Sequence, residues 1–432
     1  MDVAPRLARL IVAGAIGMTA AAAARGAAPG FEGFDRRARA GERLSVVFFG
    51  ASLTWGANAT DPQQTSYRAL VAKRLEAEYP QARFRFHDAA IGGTGSQLGV
   101  FRLDRDVLAR RPDLVFLDFS ANDDITSDKA ETLASYESLV RRIVADGGAP
   151  VVPVIFPFQW NVSAGDLDAM KRRGAHLEIA RAYGAPAGDA IALCVERVRS
   201  GATTLERLWP VDGVHPCDEG YAVFADAAWA AFEQGVKERR VCRAPEKMLH
   251  APTYMKSARV RVSSLAPLPK GWRVGRPNVV SAYYDMLMSR WLDDETVAAR
   301  FEEKTGPDGK AERKPAQVEP LRVRFSGSMV MLFGESTTAS GHLRVRLDGK
   351  VVEHTPDPKK PPVPLFDGGR LARLVGGNTH LVEIIAEGLD PAAEHALEIE
   401  PVFADDSEQE LRLESICVAG GEAWVRPAAD GR

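Results

Sequence analysis

The sequence predicts an α/β domain with a parallel sheet, followed by a β-sandwich or jelly-roll-like domain. Three observations predict it. From residue 44 to about 240, short and continuously apolar runs alternate with longer stretches of helical spacing, as expected for strands buried on both faces and joined by crossover helices. After Cys242 the texture changes to a proline-containing connection. Beyond residue 320 the chain becomes a series of short strands divided by turn signals, the pattern of an all-β sandwich.

Each element has a local reason. LSVVFF is the first buried strand. SYRALVAKRLEAEYP is a helix with Ser66 at its N-cap and Pro80 as terminator, because a hydroxyl there satisfies an orphan N–H and proline cannot continue the ladder. ARFRFHDAA alternates as a strand, QLGVFRLDRDVLARRP is a helix stopped by Pro112, and DLVFLDF is the third strand. KAETLASYESLVRRIVADGG is helical, VVPVIF is a strand, and GDLDAMKRRGAHLEIARAYG and DEGYAVFADAAWAAFEQGVKER are helices. APTYMKSARVRVSSLAPLPKGW reads as the interdomain connection, and VVSAYYDMLMSRWLDDETVAARFEEK as either a helix or an inserted loop. The later strands are LRVRFSG, MVMLFG, LRVRL with KVVEH, HLVEIIAEG, HALEIEPVF and LRLESICVAG. Asp348-Gly349 is the hairpin turn between LRVRL and KVVEH.

The 432 residues carry a formal net charge of -3, which favours neither nucleic acid nor an anionic membrane as partner. MDVAPRLAR, then LIVAGAIGMTAAAAA, then RGAAPG is the layout of a secretory signal peptide: a basic start, a short apolar stretch and small residues for cleavage. About 15 apolar residues fall short of the roughly 20 needed to span a bilayer, so no stable membrane insertion is expected after processing. The expected organisation is a leader over 1–28, an α/β domain over 43–245, and a linker with the β-rich domain over 246–432. The location that follows is periplasmic or secreted. Cys194, Cys217, Cys242 and Cys417 make neither a disulfide scaffold nor a zinc pattern. One bridge among the first three, or buried free thiols, are both open, and the oligomeric state is not legible.

Ser52 follows the first strand and has the position of a nucleophile, but serine requires a base and donors for the oxyanion. Of eight histidines, His87 and His176 fall inside a strand and a helix and read as structural, and five lie in the linker or the β-rich region. His215 differs: Asp212 precedes it by three residues on one short loop. A carboxylate so placed can hold one ring nitrogen while the other faces outward as the base. DAAIGGTGSQLG after the second strand can present backbone N–H groups, and LVFLDFSANDD ends the third strand with the amide of Asn122. All four elements fall at strand-to-helix junctions on one side of a parallel sheet, where α/β proteins bind ligands.

These blocks resemble the SGNH hydrolases, also called GDSL esterases and lipases, over roughly residues 44–236. GASLTWG is similar to the first block, AAIGGTGSQLG to the second, FSANDD to the third and DGVHP to the last. The resemblance implies a flavodoxin-like fold and a serine esterase. It implies Ser52 as nucleophile, His215 as base, Asp212 as its orienting acid, and Gly93 and Asn122 with the Ser52 N–H as the oxyanion hole, with no metal or organic cofactor. Two positions depart from the pattern: Ala51 stands where aspartate is usual, and Ala121 where glycine is usual. The G-x-S-x-G elbow of α/β-hydrolases is absent, since residue 54 is threonine. VMLFGESTT repeats the Gly-x-Ser-x-Thr spacing around Ser336, but lies among β-strands with no Asp-x-x-His beyond it, so Ser336 reads as a turn residue.

Within the resemblance, an exported catalytic domain joined to a β-sandwich implies removal of acetyl groups from carbohydrate. Phe158, Gln159 and Trp160 follow the fourth strand and would line the acyl or sugar pocket, or else pack under a loop. The alternatives are a lysophospholipase or thioesterase of the same fold, and a carbohydrate-binding protein with an inactive hydrolase domain.

Overall fold

The computed structural model describes residues 29–305, 311–356, 359–405 and 407–428; the expected leader, residues 1–28, lies outside them. A parallel sheet forms from β1 (Arg43–Gly50), β2 (Arg83–Ala90), β3 (Leu114–Leu117), β4 (Val151–Ile155) and β5 (Gly188–Asp189), in the order β2-β1-β3-β4-β5. Around it lie α1 (Phe31–Arg39), α2 (Ser52–Trp55), α3 (Tyr67–Glu78), α4 (Ser96–Asp106), α5 (Ala130–Ala145), α6 (Gln159–Ala164), α7 (Lys171–Ala182), α8 (Ala190–Arg199), α9 (Leu205–Leu208) and α10 (Asp218–Lys237). Helices α3, α8 and α10 pack as one layer, and α4, α5 and α7 as the other. Val46, Val47, Phe48 and Phe49 are therefore buried on both faces of β1, which is why that strand is a continuous apolar run. The strand order reverses between β1 and β3, and this places the crevice of a doubly wound sheet beside the end of β1.

Local chemistry sets the helix ends. Ser66 Oγ accepts the Ala69 N–H at 3.3 Å, capping α3. The sequence reading had not included α1, α8 or β5. Helix α1 packs Phe31 and Phe34 against Phe232 of α10, with ring centroids 6.2 and 5.6 Å apart. Strand β5 is two residues long, too short for any periodicity to show. His176 is buried and stacks on Tyr136 at 3.5 Å.

The second half holds β6 (Ser257–Arg261), β7 (Trp272–Gly275), β8 (Glu295–Ala299), β9 (Phe301–Thr305), β10 (Ala311–Pro315), β11 (Leu321–Ser326) and β12 (Met329–Ser336). They are followed by β13 (His342–Leu347), β14 (Lys350–Val351), β15 (Phe366–Asp367), helix α11 (Arg370–Val375), β16 (Thr379–Ala386), β17 (His395–Val402), β18 (Glu410–Ala419) and β19 (Trp424–Pro427). Two six-stranded antiparallel sheets result, ordered β14-β13-β17-β11-β19 with β15 on β13, and β16-β12-β18-β8-β7 with β6 on β18, besides a two-stranded antiparallel ribbon of β9 and β10. Val323, Phe325 and Val345 of one sheet meet Val330, Leu332 and Ile416 of the other in a shared core. Asp348 and Gly349 both have positive φ, 49° and 78°, as the two-residue turn between β13 and β14 requires.

Strand β12 is buried along its whole length because both of its faces are covered. Val330 and Leu332 point into the sandwich, while Met329, Met331 and Phe333 join the core of the first domain. The two domains therefore share an apolar interface, reinforced by Gln97 Nε2 donating to the Tyr254 hydroxyl at 2.7 Å and by the Lys129–Glu387 ion pair at 2.6 Å.

Two expectations are corrected and two readings left open are resolved. The stretch read as an interdomain connection contributes β6, whose Val260 pairs with Ile416 of β18. Prolines at 267 and 269 lie beyond that strand and do not interrupt it. The segment read as helix or inserted loop is a loop closed by the Val280–Leu287 bridge, followed by β8. Ser336 is not in a turn: it ends β12, donates its hydroxyl to the Gly368 carbonyl at 2.7 Å and accepts the Ala372 N–H at 3.3 Å. All four cysteines are free, with Cys194, Cys242 and Cys417 buried, so no bridge forms among the first three.

Candidate active site

The end of β1 is shaped by a glycine that no other residue can replace without movement. A Cβ on Gly50 would lie 2.6 Å from the Asp118 carbonyl oxygen and 2.2 Å from Thr54 Oγ1. From there the chain turns at once into α2, where the Ala51 carbonyl accepts the N–H groups of Thr54 and Trp55 at 3.0 and 2.9 Å. Ala51 provides no side-chain cap and is fully buried. Gly56, at φ 103°, ends the single turn. Ser52 is thereby fixed as the first residue of α2, at the carboxyl end of β1.

His215 Nε2 lies 3.0 Å from Ser52 Oγ, and His215 Nδ1 lies 3.3 Å from Asp212 Oδ2. The loop that carries this pair closes on itself. Asp212 Oδ1 accepts the backbone N–H groups of Val214 at 2.7 Å and His215 at 2.6 Å. Asp212 Oδ2 accepts the amide of Asn58 at 2.8 Å, and the same amide reaches the His215 carbonyl at 3.4 Å. Burial would raise the Asp212 pKa, but the His215 and Val214 N–H groups and the Asn58 amide hold it below the usual carboxylate value. Burial depresses the His215 pKa below 6.5, with Asp212 opposing the shift. The imidazole is consequently neutral at pH 7, the form that accepts a proton.

Gly93 and Asn122 lie in the loops that follow β2 and β3, the two neighbours of β1 in the sheet. Gly93 has φ +72°, and the space where a Cβ would stand is open. Asn122 is half-buried, and no hydrogen bond engages its side chain among the described residues. Its neighbour Asp123 is buried and accepts both the N–H and the hydroxyl of Ser96, tying the Asn122 turn to the start of α4 just after Gly93. Burial pushes Asp123 up to about 6.

Gln159 and Trp160 pack against the Asp212–His215 loop at Gly213, with Phe158 beside Trp160. The Gln159 N–H donates to the Gly213 carbonyl at 2.8 Å, and the Trp160 ring lies 3.3 Å from where a Gly213 Cβ would be. Trp160 is 53% exposed and rests on Phe158, with ring centroids 4.7 Å apart. Among the described residues no group of three His, Cys, Asp or Glu side chains is arranged to hold a metal ion, and no helix is long and apolar enough to cross a membrane.

Residues 48–223 match the model of the GDSL-like lipase/acylhydrolase family, an interval that contains all of these groups. The first domain is an SGNH-type carboxylic ester hydrolase. Over 205 residues, 43% of this chain, the domain is 26% identical to an acetylxylan esterase of Geobacillus stearothermophilus and covers 92% of that protein. A crystal structure of a two-domain esterase active on acetylated mannans, co-crystallised with mannopentaose, matches 91% of this chain and 95% of its own, with a TM-score of 0.68 at 23% identity. A second crystal structure of a two-domain esterase active on acetylated mannans gives a TM-score of 0.67 at 22% identity, with the same coverage. The pairing of an SGNH domain with a β-rich second domain is thus a shared fold.

Three residues at the hydrolase site escaped the sequence reading. Asn58 sits in GANAT directly after α2, and a left-handed asparagine (φ 65°) gives no motif signal. Asp123 was visible as the partner of Asn122 in an Asn-Asp pair, but its bond to Ser96 is made across the sheet. Tyr284 lies far down the chain and reaches the site through the fold alone: a Cβ on Gly92 would fall 1.4 Å from its hydroxyl.

Proposed function

We propose that the protein hydrolyses acetyl esters of a carbohydrate, with Ser52 as nucleophile, His215 as general base and acid, and Asp212 as its orienting partner. The carrying observation is the hydrogen-bonded series from Ser52 Oγ through His215 Nε2 at 3.0 Å to Asp212 Oδ2 at 3.3 Å from Nδ1. His215 Nε2 takes the proton as Ser52 Oγ bonds to the ester carbonyl carbon. The N–H groups of Ser52 and Gly93 and the Asn122 amide receive the oxyanion. As the intermediate collapses, His215 gives the proton to the departing sugar oxygen and an acetyl-serine remains. Water, deprotonated by His215, then releases acetate and restores Ser52. Asp212 accepts the Nδ1–H throughout, which fixes the tautomer.

The acetylxylan esterase relative supports the substrate class. The two-domain neighbours, at 23% and 22% identity, support the arrangement of domains. Phe158, Gln159 and Trp160 are assigned to the sugar side of the site, because Trp160 offers an exposed ring beside the Asp212–His215 loop. Residues 1–28 are assigned to export on the strength of their basic start and short apolar stretch.

The test is acetate release from acetylated mannan and acetylated xylan, beside hydrolysis of p-nitrophenyl acetate and octanoate. Acetate release together with a preference for the short ester is expected. Preference for octanoate without acetate release would overturn the assignment in favour of a lipase-like activity.

A further inference from the structure

The Gly92-Gly93 turn has a difficulty if Gly93 is an oxyanion donor. Its backbone N–H must be held within a few tenths of an ångström of one position, yet two consecutive glycines are the most freely moving backbone available. Gly93 itself touches nothing on its Cβ side. Within the first domain the Thr94 hydroxyl spans the turn, donating to the Ile91 carbonyl at 2.7 Å, but what backs Gly92 itself comes from outside that domain. Tyr284 sits in the loop closed by the Val280–Leu287 bridge, and its hydroxyl and Cζ occupy the Cβ side of Gly92, 1.4 and 2.1 Å from an ideal Cβ. The same ring meets Trp55 edge to face at 4.8 Å and 81°. Trp55 ends the one-turn helix that Ser52 begins. One side chain, 8% exposed, thus bears on both elements that carry the backbone donors.

The loop that presents Tyr284 is itself held by both domains. Arg105 of the first domain pairs with Asp293 at 2.9 Å and donates to the carbonyls of Ser289 and Arg290 at 2.8 and 2.6 Å. Arg290 donates to the Asp88 carbonyl of β2 at 2.9 Å. On the other side, the Ala282 N–H donates to the Asn378 carbonyl, just before β16, at 3.0 Å. Trp291, fully buried, closes on the Tyr284 ring at 5.7 Å. Gly92 is required by this arrangement, whereas the glycine at 93 is required by its own φ of +72°.

We propose that Tyr284 is a positioning residue for the oxyanion hole, setting the distance between the Ser52 and Gly93 N–H groups from beyond the catalytic domain. The proposal rests on the reading of those two groups as oxyanion donors. A donor displaced by about 1 Å loses much of its effect, and such misplacement costs roughly 10²-fold in rate. Tyr284→Ala is therefore expected to lower kcat on p-nitrophenyl acetate by about 10–100-fold with KM within about threefold, the signature of an interaction used in the transition state. Tyr284→Phe keeps the ring against both Trp55 and Gly92, and is expected to retain kcat within about threefold.

The decisive comparison is with Gly92→Ala, measured on the full chain with thermal unfolding recorded for every variant. The added methyl collides with Tyr284, so kcat falls. In Gly92→Ala with Tyr284→Ala the methyl enters the vacated space, and kcat recovers at least about fivefold over Gly92→Ala alone. Should Tyr284→Ala fail to fold, Tyr284→Leu takes its place in the same comparison. Wild-type kcat in Tyr284→Ala, or a double variant no better than Gly92→Ala, overturns the proposal. Ser52→Ala separates the two levels. If it abolishes hydrolysis while Tyr284→Ala does not affect kcat, the serine mechanism stands and the positioning role fails. If Ser52→Ala remains active, the underlying reading fails first.

Discussion

Asn58→Ala removes the hydrogen bond to Asp212, along with a longer one to the His215 carbonyl, and should weaken catalysis without touching substrate. The Asn58 amide donates to Asp212 Oδ2 at 2.8 Å, the same oxygen that faces His215 Nδ1 at 3.3 Å. A hydrogen bond to a charged group contributes about 1.5–3 kcal/mol. Asp212 has a side-chain exposure of 41% and keeps the Val214 and His215 N–H groups on its other oxygen, so the lower end of that range applies. About 1.4 kcal/mol in the barrier is tenfold in rate. Asn58→Ala is expected to lower kcat about tenfold and to leave KM within twofold, because the lost contact orients the base and binds nothing. Asp212→Asn, which removes the carboxylate, should cost far more, about 10⁴-fold by analogy with serine proteases. Steady-state kinetics on p-nitrophenyl acetate with circular dichroism on each variant provide the assay. An Asn58→Ala enzyme with wild-type kcat, or one that loses only KM, would refute the link from Asn58 through Asp212 to His215.

Three other outcomes follow from the same geometry. Because burial lowers the His215 pKa below 6.5 and its neutral form is the base, kcat/KM should rise through a single acid limb with its midpoint below pH 6.5. A midpoint above 7 would contradict this environment. Asp118, just after β3, is fully buried and burial pushes it up to about 7 from 3.8, so the native state holds that proton more tightly than the unfolded chain. Its contribution is largest at low pH and is lost as pH rises toward 7. Asp118→Asn should flatten the fall in Tm between pH 5 and 8, and an unchanged slope would sink the assignment. Trp160→Ala should raise KM for an acetylated polysaccharide about fivefold, as expected for roughly 1 kcal/mol of lost stacking, while leaving p-nitrophenyl acetate kinetics within twofold. Equal losses on both substrates would place Trp160 in the loop's packing instead.

What the sequence made legible was whatever repeats within a few residues. Strand β1 announced itself because both of its faces are buried, and α3 because Ser66 and Pro80 mark its ends. Ser52, Gly93 and Asn122 stood out because each follows a strand of a parallel sheet, and Asp212 and His215 through their spacing alone, since their loop joins α9 to α10 and not a strand to a helix as the sequence suggested. Asn58, Asp123 and Tyr284 were not legible, since each acts through contacts with residues distant in sequence. Strand β6 was hidden because its stretch carries arginines and serines as well as valines, and only pairing with β18 makes it a strand. Tyr284 was the least accessible, lying in a segment without periodicity whose place against Gly92 depends on both domains.

The central claim is that Ser52 is the nucleophile and that His215 activates it. Its most direct test is labelling of the purified full chain with a fluorophosphonate, located by peptide mass spectrometry, in the wild type and in His215→Ala. The account predicts a single adduct on Ser52 that His215→Ala slows by several orders of magnitude, because the hydroxyl then lacks its base 3.0 Å away. Labelling at another serine, or at Ser52 with equal speed in both proteins, would contradict it.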